Sequence, residues 1–215
     1  MLVKERMSHP VITVQPDLPI MEALNLMKRE KIRRTPVVDK GKLIGIISDK
    51  DLLNASPSDA TSLSVWEINY LLSQITVKEV MTKNVLTIDE DTPIEEAARI
   101  MADNKIGGIP VMRGDRVVGL ITETDLFKIF LELMGAREYG VRVTALVPEV
   151  PGELALITDA ISKAGGNFLS FTQFAGEDPS NREITFKVAG LDENVVREKV
   201  TPHVERIIDL RMCCN

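Results

Sequence analysis

Two stretches of the chain place a hydroxyl three residues before a carboxylate, each where an apolar run gives way to a helical one. Gly45-Ile46-Ile47-Ser48-Asp49-Lys50-Asp51 is matched by Gly119-Leu120-Ile121-Thr122-Glu123-Thr124-Asp125. Both read as the end of a strand and the start of a helix. The free N–H groups and positive dipole end at such a junction suit an anion, phosphate above all. The hydroxyl can join those donors. The Asp, one turn into the helix, can accept hydrogen bonds from a diol such as a ribose. The plainer alternative is that Ser48 and Thr122 only cap their helices and the Asps only favour the helix N-terminus. Two copies in register favour a ligand.

Nothing beside these turns resembles a catalytic centre. His9 and His203 are the only histidines, and neither lies near an acid and a nucleophile in sequence. No GxSxG elbow, Walker A loop, GxGxxG after a strand or HExxH occurs. Asp49 with Asp51, and Glu123 with Asp125, sit at i and i+2 on starting helices. They point to different faces and make a poor acid–base couple, although they could hold Mg²⁺ carried in with ATP. Cys213 and Cys214 are the only cysteines. Adjacent cysteines rarely bridge each other because the ring is strained. Free thiols in a reducing compartment are the reading, with a redox or metal role as the alternative.

The turns are held by a tandem duplication. Residues 7–53 moved forward by 74 fall on 81–127 without a gap: Met7, Pro19, Pro36, Gly45 and Asp51 recur as Met81, Pro93, Pro110, Gly119 and Asp125. Each copy reads strand, helix, strand, strand, helix. Val11–Val14 is the first strand. Pro19 opens a helix with Ile20, Ala23, Leu24 and Met27 on one face. In the second copy Thr92 is the expected N-cap, with Pro93 at the first helical position and Glu95 completing a capping box. A hairpin turns at Lys40-Gly41-Lys42. Between the copies, a helix capped by Ser64 carries Val65, Trp66, Ile68, Tyr70, Leu71, Leu72 and Ile75. Paired repeats leave clefts at their seam.

A long helix over 123–138 precedes a change of character at Gly140. Val141–Val147 is a strand, Pro148–Gly152 a turn, and Leu154, Ile157, Ile161 and Ala164 a helix face ended by Gly165-Gly166. Strands at Phe168–Phe174 and Glu183–Val188, a helix over 192–201 and a strand over 204–212 complete the order βαββαβ, the ferredoxin-like plan. The expected domains are 1–54 and 78–138 for the repeats, 55–77 for a linker with a helix, and 140–215 for the third unit.

The net charge of −6 argues against nucleic acid as the main partner. Residues 1–53 carry 10 basic and 7 acidic side chains and are the only net basic third, so an anion is drawn to clefts that they line. No apolar run approaches a membrane span and the N-terminus lacks an apolar signal core, so no membrane partner and a cytoplasmic location are expected.

Over about residues 1–137 the tandem units resemble a pair of cystathionine-β-synthase (CBS) domains, the Bateman module. In that family the hydroxyl and Asp of this turn hold the phosphate and ribose of adenosine nucleotides, in clefts commonly shared between the repeats. The resemblance implies one cleft joining Thr122, Thr124 and Asp125 to Ile12, Ile32 and Arg33, and another joining Ser48, Lys50 and Asp51 to Leu86, Ile106 and Gly107. Ile12 and Leu86 are expected on the first strands. Arg33-Arg34 becomes Gly107-Gly108 in the second copy, so the clefts are expected to be unequal, with a guanidinium near phosphate in only one. The bland alternative for the arginine pair is solvated charge.

Residues 141–215 resemble an ACT domain. That family's ligand loop, acid-x-Pro-Gly, reads Glu149-Val150-Pro151-Gly152 here, with Glu149 where Asp is usual. Its Gly-x-Asn-apolar signal appears as Gly165-Gly166-Asn167-Phe168. The whole arrangement, including SVWEINYLLSQITVKEVM, is similar to bacterial acetoin-utilisation proteins of the CBS–ACT type.

The fold implied is mixed α/β (α+β), a CBS pair followed by a ferredoxin-like ACT domain. The function implied is a non-catalytic sensor that binds AMP, ADP, ATP or an S-adenosyl compound, without a resident cofactor, and regulates an unidentified protein in acetoin and acetyl-CoA metabolism. A homodimer through both domains is expected, with the faces Ile20, Ala23, Leu24, Met27 and Ile94, Ala97, Ala98, Met101 pairing subunits. The alternatives are an interaction scaffold with no physiological nucleotide, or an amino-acid sensor acting through the ACT domain.

Overall fold

A computed structural model describes residues 1–55 and 73–213, in two compact units, Met1–Leu126 and Phe127–Asn215. Most of the linker helix expected from Ser64, with Trp66 and Tyr70, and also Cys214, lie outside the described residues. In the first repeat, α1 (Ile20–Glu30) leads to the antiparallel pair β1 (Arg34–Asp39) and β2 (Lys42–Ser48), then α2 (Asp49–Asn54). After a one-turn helix α3 (Val77–Val80), the second repeat follows the same path. It runs β3 (Ile88–Asp89), α4 (Ile94–Asn104), β4 (Gly108–Arg113), β5 (Arg116–Thr122) and α5 (Glu123–Leu133).

The first strand of each repeat is shorter than its β-rich sequence suggests. Val11–Val14 makes one parallel bridge, Val14 to Val37, and β3 spans two residues beside β4. Ile12 and Leu86 therefore lie outside regular strands. The N-cap of α4 is Pro93, without a side-chain cap, so Thr92 and Glu95 form no capping box. The first N–H of each helix is satisfied from further away: Ile20 donates to Ile75 O (3.1 Å) and Ile94 to Met1 O (3.2 Å). Both helices end at a lysine in left-handed conformation, Lys31 and Lys105.

Those distant carbonyls reveal an exchange. Residues leading into each copy pack on the other copy. Val3 lies in one core with Ala97, Met101, Ile109, Val111 and Ile121, and Val77 in another with Ile20, Ala23, Met27, Val37 and Ile47. Ser8 N and O pair with Leu120, and Thr82 N and O with Ile46. Lys4 pairs with Asp91, and Lys78 with Asp17. The sequence reading had placed residues 1–8 with the first repeat; a chain that enters beside its twin gains a β partner there. Most residues of the faces expected to pair subunits lie inside the repeats instead, with Ile94 and Ala98 half-buried. Ile20, Ala23, Leu24, Met27, Ala97 and Met101 are buried in these two cores, removing them from any subunit contact.

In the second unit, β6 (Gly140–Pro148), α6 (Glu153–Lys163), β7 (Asn167–Ala175), β8 (Asn181–Ala189), α7 (Glu193–Val200) and β9 (Arg206–Cys213) follow the βαββαβ order. The sheet is antiparallel, ordered β7-β8-β6-β9. Val143, Ala145, Val147, Phe186 and Val188 meet Ile157, Ile161, Val196 and Val200 in its core. The expected helix over 123–138 stops at Leu133, because Gly135 takes a left-handed conformation. The turn after it is anchored to the sheet. Lys187 Nζ, on a buried side chain, donates to Gly135 O (2.7 Å) and Glu138 O (3.0 Å). The two compact units divide after Leu126.

Candidate functional site

In both repeated turns the hydroxyl residue is tied to its Asp in the same way, and in the first repeat this completes a capping box. Ser48 is the N-cap of α2, and both its N–H (2.8 Å) and its hydroxyl (2.7 Å) donate to Asp51 Oδ2. Thr122 N–H (3.0 Å) and Oγ1 (2.7 Å) donate to Asp125 Oδ2 in the same way. One oxygen of each carboxylate is thus fixed by its own turn, which aims the remainder of the group. The hydroxyl protons point at the Asps, not outward. A phosphate must rotate them to gain a donor.

The expected free N–H groups are not free in the first repeat. Asp49 N donates to Arg33 O (2.9 Å), Lys50 N to Asp49 Oδ1 (2.8 Å) and Asp51 N to Ser48 Oγ (3.3 Å). In the second repeat Glu123 N reaches Gly107 O at 3.3 Å. Asp125 is buried, 7% exposed.

The seam joins residues from both copies. Arg33 Nη2 donates to Thr124 Oγ1 at 2.9 Å, so two members of the expected first cleft meet. Ile32 packs at the edge of the first core and Ile106 at the edge of the second. Ile12 is tied to β1 by a hydrogen bond from Thr35 Oγ1 to its carbonyl. Lys50 is exposed, and Leu86 is 46% exposed.

Arg34 departs from the sequence reading. A Cβ at Gly107 would lie 2.4 Å from Arg34 Nη1 and Nη2, and one at Gly108 would lie 2.8 Å from Cδ and Nη1. The guanidinium rests on the two glycines that replace the arginine pair in the other copy. A guanidinium therefore does lie beside the glycines expected in the second cleft. Burial pushes Arg34 below the usual arginine range; Glu123 opposes this, Arg33 adds to it, and Asp49 and Asp51 oppose it. Its Nη1 is buried without a hydrogen-bond partner among the described residues.

The glycines that open the two motifs serve packing. A Cβ at Gly119 would lie 2.1 Å from Met7 Sδ, and one at Gly45 would lie 2.4 Å from Met81 Sδ. The recurring Met and the recurring Gly are partners across the exchange. The sequence held a signal for this: Val3-Lys4-Glu5 recurs as Val77-Lys78-Glu79, upstream of where the duplication was taken to begin.

Residues 3–58 and 77–132 each match the CBS domain family. The chain belongs to the CBS-domain family. A curated relative, the L-aspartate semialdehyde sulfurtransferase of Methanocaldococcus jannaschii, is 36% identical over 133 residues, 60% of this chain; the match spans 23% of that relative's length. The CBS pair of protein MJ0100, solved in complex with 5′-methylthioadenosine and S-adenosyl-L-methionine, is 35% identical with a TM-score of 0.51, over 60% of this chain and 95% of that one. A Vibrio cholerae protein assigned to acetoin utilization (AcuB) is 31% identical with a TM-score of 0.53, over 63% of this chain and 93% of that one.

Outside the CBS pair, the candidate loop of the second unit is only partly assembled. Glu149, Val150, Gly152, Leu154 and Gln173 line a surface pocket of about 380 Å³, and Glu149 is ion-paired with Arg182. Gly152, at φ 94°, is the N-cap of α6. Pro151 is exposed within that loop. Asn167 is not brought to it. It pairs with Ala189 at one end of the sheet, while Pro148 pairs with Asn181 at the other. Among the described residues, no three His, Cys, Asp or Glu side chains converge on a metal-sized site, and no helix is long and apolar enough to cross a membrane. Cys213 is a half-buried free thiol.

Proposed function

We propose that this CBS pair is a non-catalytic sensor of adenine nucleotides or S-adenosyl compounds, with one ligand cleft on each side of the seam. The observation that carries this is the doubled hydroxyl–Asp turn. Each turn fixes one oxygen of Asp51 or Asp125, and a carboxylate oriented in this way is suited to accept from a ribose diol. The Arg33–Thr124 bond supports the sharing of a cleft between copies. The 35% identity to a CBS pair solved with 5′-methylthioadenosine and S-adenosyl-L-methionine supports the ligand class. Mg²⁺ enters only with ATP.

The second unit is read as an ACT domain on its strand order, serving dimerisation and relay. Phe127, Phe130 and Leu131 share a face of α5 and are exposed by 68%, 53% and 37%; Leu133 is exposed beside them. Such a stripe suits a second copy of the chain. The same stripe favours the scaffold reading if the clefts stay empty, and the pocket at Glu149 favours an amino-acid sensor. The regulated protein belongs to cytoplasmic acetoin and acetyl-CoA metabolism in this reading, which the AcuB likeness supports.

Thermal shift on ligand-stripped protein separates these readings. A ligand that binds only the folded state, at 100 times its Kd, adds about 2.7 kcal/mol. A shift with AMP, ADP, ATP or S-adenosylmethionine supports the sensor. Shifts with amino acids alone support the ACT reading, and none with either panel supports the scaffold.

A further inference from the structure

Arg34 is a side chain that breaks the two-fold repetition of the seam by resting on the other copy. It arises from the first residue of β1, whose counterpart at the start of β4 is Gly108. It crosses onto Gly107 and Gly108, which have no side chains to exclude it. The charged groups that act on it most strongly belong to the two turns or adjoin them: Glu123 from α5, Arg33 beside it, and Asp49 and Asp51 from α2. Its buried Nη1 has no acceptor among the described residues.

We propose that Arg34 is a single cation shared by both clefts, so that only one cleft at a time can present it to an anionic ligand. This rests on the reading of the clefts as adenine-nucleotide sites and adds a rule for how they fill. A bound phosphate is an acceptor stronger than any neutral group at the seam, and Nη1 turns to it. When the guanidinium swings toward the cleft of Arg33 and Asp125, that cleft holds two arginines, and the cleft of Asp51 and Gly107 loses its only one. A charged nucleotide then occupies the first cleft and disfavours a second charged nucleotide in the other. An uncharged adenosine compound makes no claim on Arg34 and fills both.

The test is calorimetry on the ligand-stripped full chain with ATP and with adenosine, for the wild type and two variants. Arg34→Gly removes the shared cation and makes the copies alike at this position. Gly107→Ala keeps the arginine but places a methyl where its guanidinium rests, displacing only the flexible end of a side chain. Thermal unfolding confirms that both variants fold. The wild type should bind ATP in two steps at least tenfold apart in affinity, and adenosine in two steps of similar affinity. Arg34→Gly should bring the two ATP steps together by weakening the tighter one roughly tenfold, the effect of one lost charge-assisted hydrogen bond. Gly107→Ala should move the ATP steps further apart, because it pushes the cation out of the second cleft. Equal ATP steps in the wild type, or an unchanged ratio in both variants, overturn the sharing of Arg34 while leaving the nucleotide reading intact. Absence of binding by either compound overturns that reading and this inference with it.

Discussion

The two CBS repeats agree in their cores and in their hydroxyl–Asp turns, and differ in the charged residues at the seam. Helices α1 and α4 have the same length, begin after Pro19 and Pro93, and end at Lys31 and Lys105 with φ of 55° and 54°. The hairpins carry the same bulge, after Val37 and after Val111. Val3 matches Val77, and Met7 on Gly119 matches Met81 on Gly45. At the seam the likeness ends. Arg33-Arg34 faces Gly107-Gly108, and Lys50 stands where the other copy has Thr124. Reciprocal packing ties each copy's core to the other, so neither core can drift alone. At the seam the ties are not reciprocal: Arg33 bonds Thr124, and Arg34 rests on Gly107 and Gly108.

The largest expected effect comes from breaking the reciprocal packing. Gly119→Val must displace Met7, and such overpacking costs about 1–3 kcal/mol. Gly45→Val should cost more, because the carbonyl of Thr82 also lies 3.1 Å from the added Cβ and backbone yields less than a thioether. Met7→Ala should rescue Gly119→Val more fully than Met81→Ala rescues Gly45→Val. Denaturant unfolding of the four variants reads this, and equal rescue would remove the distinction.

Next come the capping carboxylates. Asp51→Ala and Asp125→Ala each break the hydroxyl–Asp tie at a helix start, at about 0.5–2 kcal/mol. Asp125→Ala should lie at the upper end because that residue is buried and Asp51 is not. Each should also weaken its own cleft for adenosine by roughly tenfold. Binding like the wild type in both would remove the diol role.

Smaller again is Arg33→Ala. Its bond to Thr124 is exposed, so stability should change by under about 1 kcal/mol. Affinity for ATP should fall more than for adenosine, and the salt dependence of ATP binding should flatten. Equal losses for both ligands would make Arg33 a wall of the pocket rather than a phosphate contact.

The smallest effect is a pH response confined to the second repeat. Arg113 holds the Glu90 carboxyl below its usual range, and the first repeat has Pro16 and Asp39 in these places. A carboxylate with a depressed folded pKa stabilises above its unfolded pKa, and that contribution is lost as pH falls through the folded value. Glu90→Gln should therefore make acid unfolding less steep below about pH 4.3, the ordinary glutamate value. An unchanged acid limb would show the pair to be inert.

The fold was legible where periodicity and punctuation acted together. Helix faces such as Ile20, Ala23, Leu24 and Met27 are read by spacing, and the βαββαβ order of the second unit by its turns. The subunit role given to those faces was not legible, because a buried stripe looks the same whether its own repeat or a second copy covers it. The exchange of residues 1–8 was hidden for a different reason. Sequence order assigns a segment to its neighbours, while pairing of Ser8 with Leu120 is decided in space. The glycines at 107 and 108 read as a missing charge, and only the geometry showed them to be the seat of Arg34. Asn167 was drawn to the loop of Glu149 by a family signal that carries no register, and the sheet sets them at opposite ends.

The central claim is that the two proposed CBS clefts bind charged adenine nucleotides unequally. Equilibrium dialysis of ligand-stripped protein against labelled ATP, carried to saturation, tests it most directly. The account predicts one ATP per chain at low concentration and a second only at about tenfold higher concentration or more, the separation set by one charge-assisted contact. Two equivalent ATP sites per chain, or none at millimolar ligand, would contradict it.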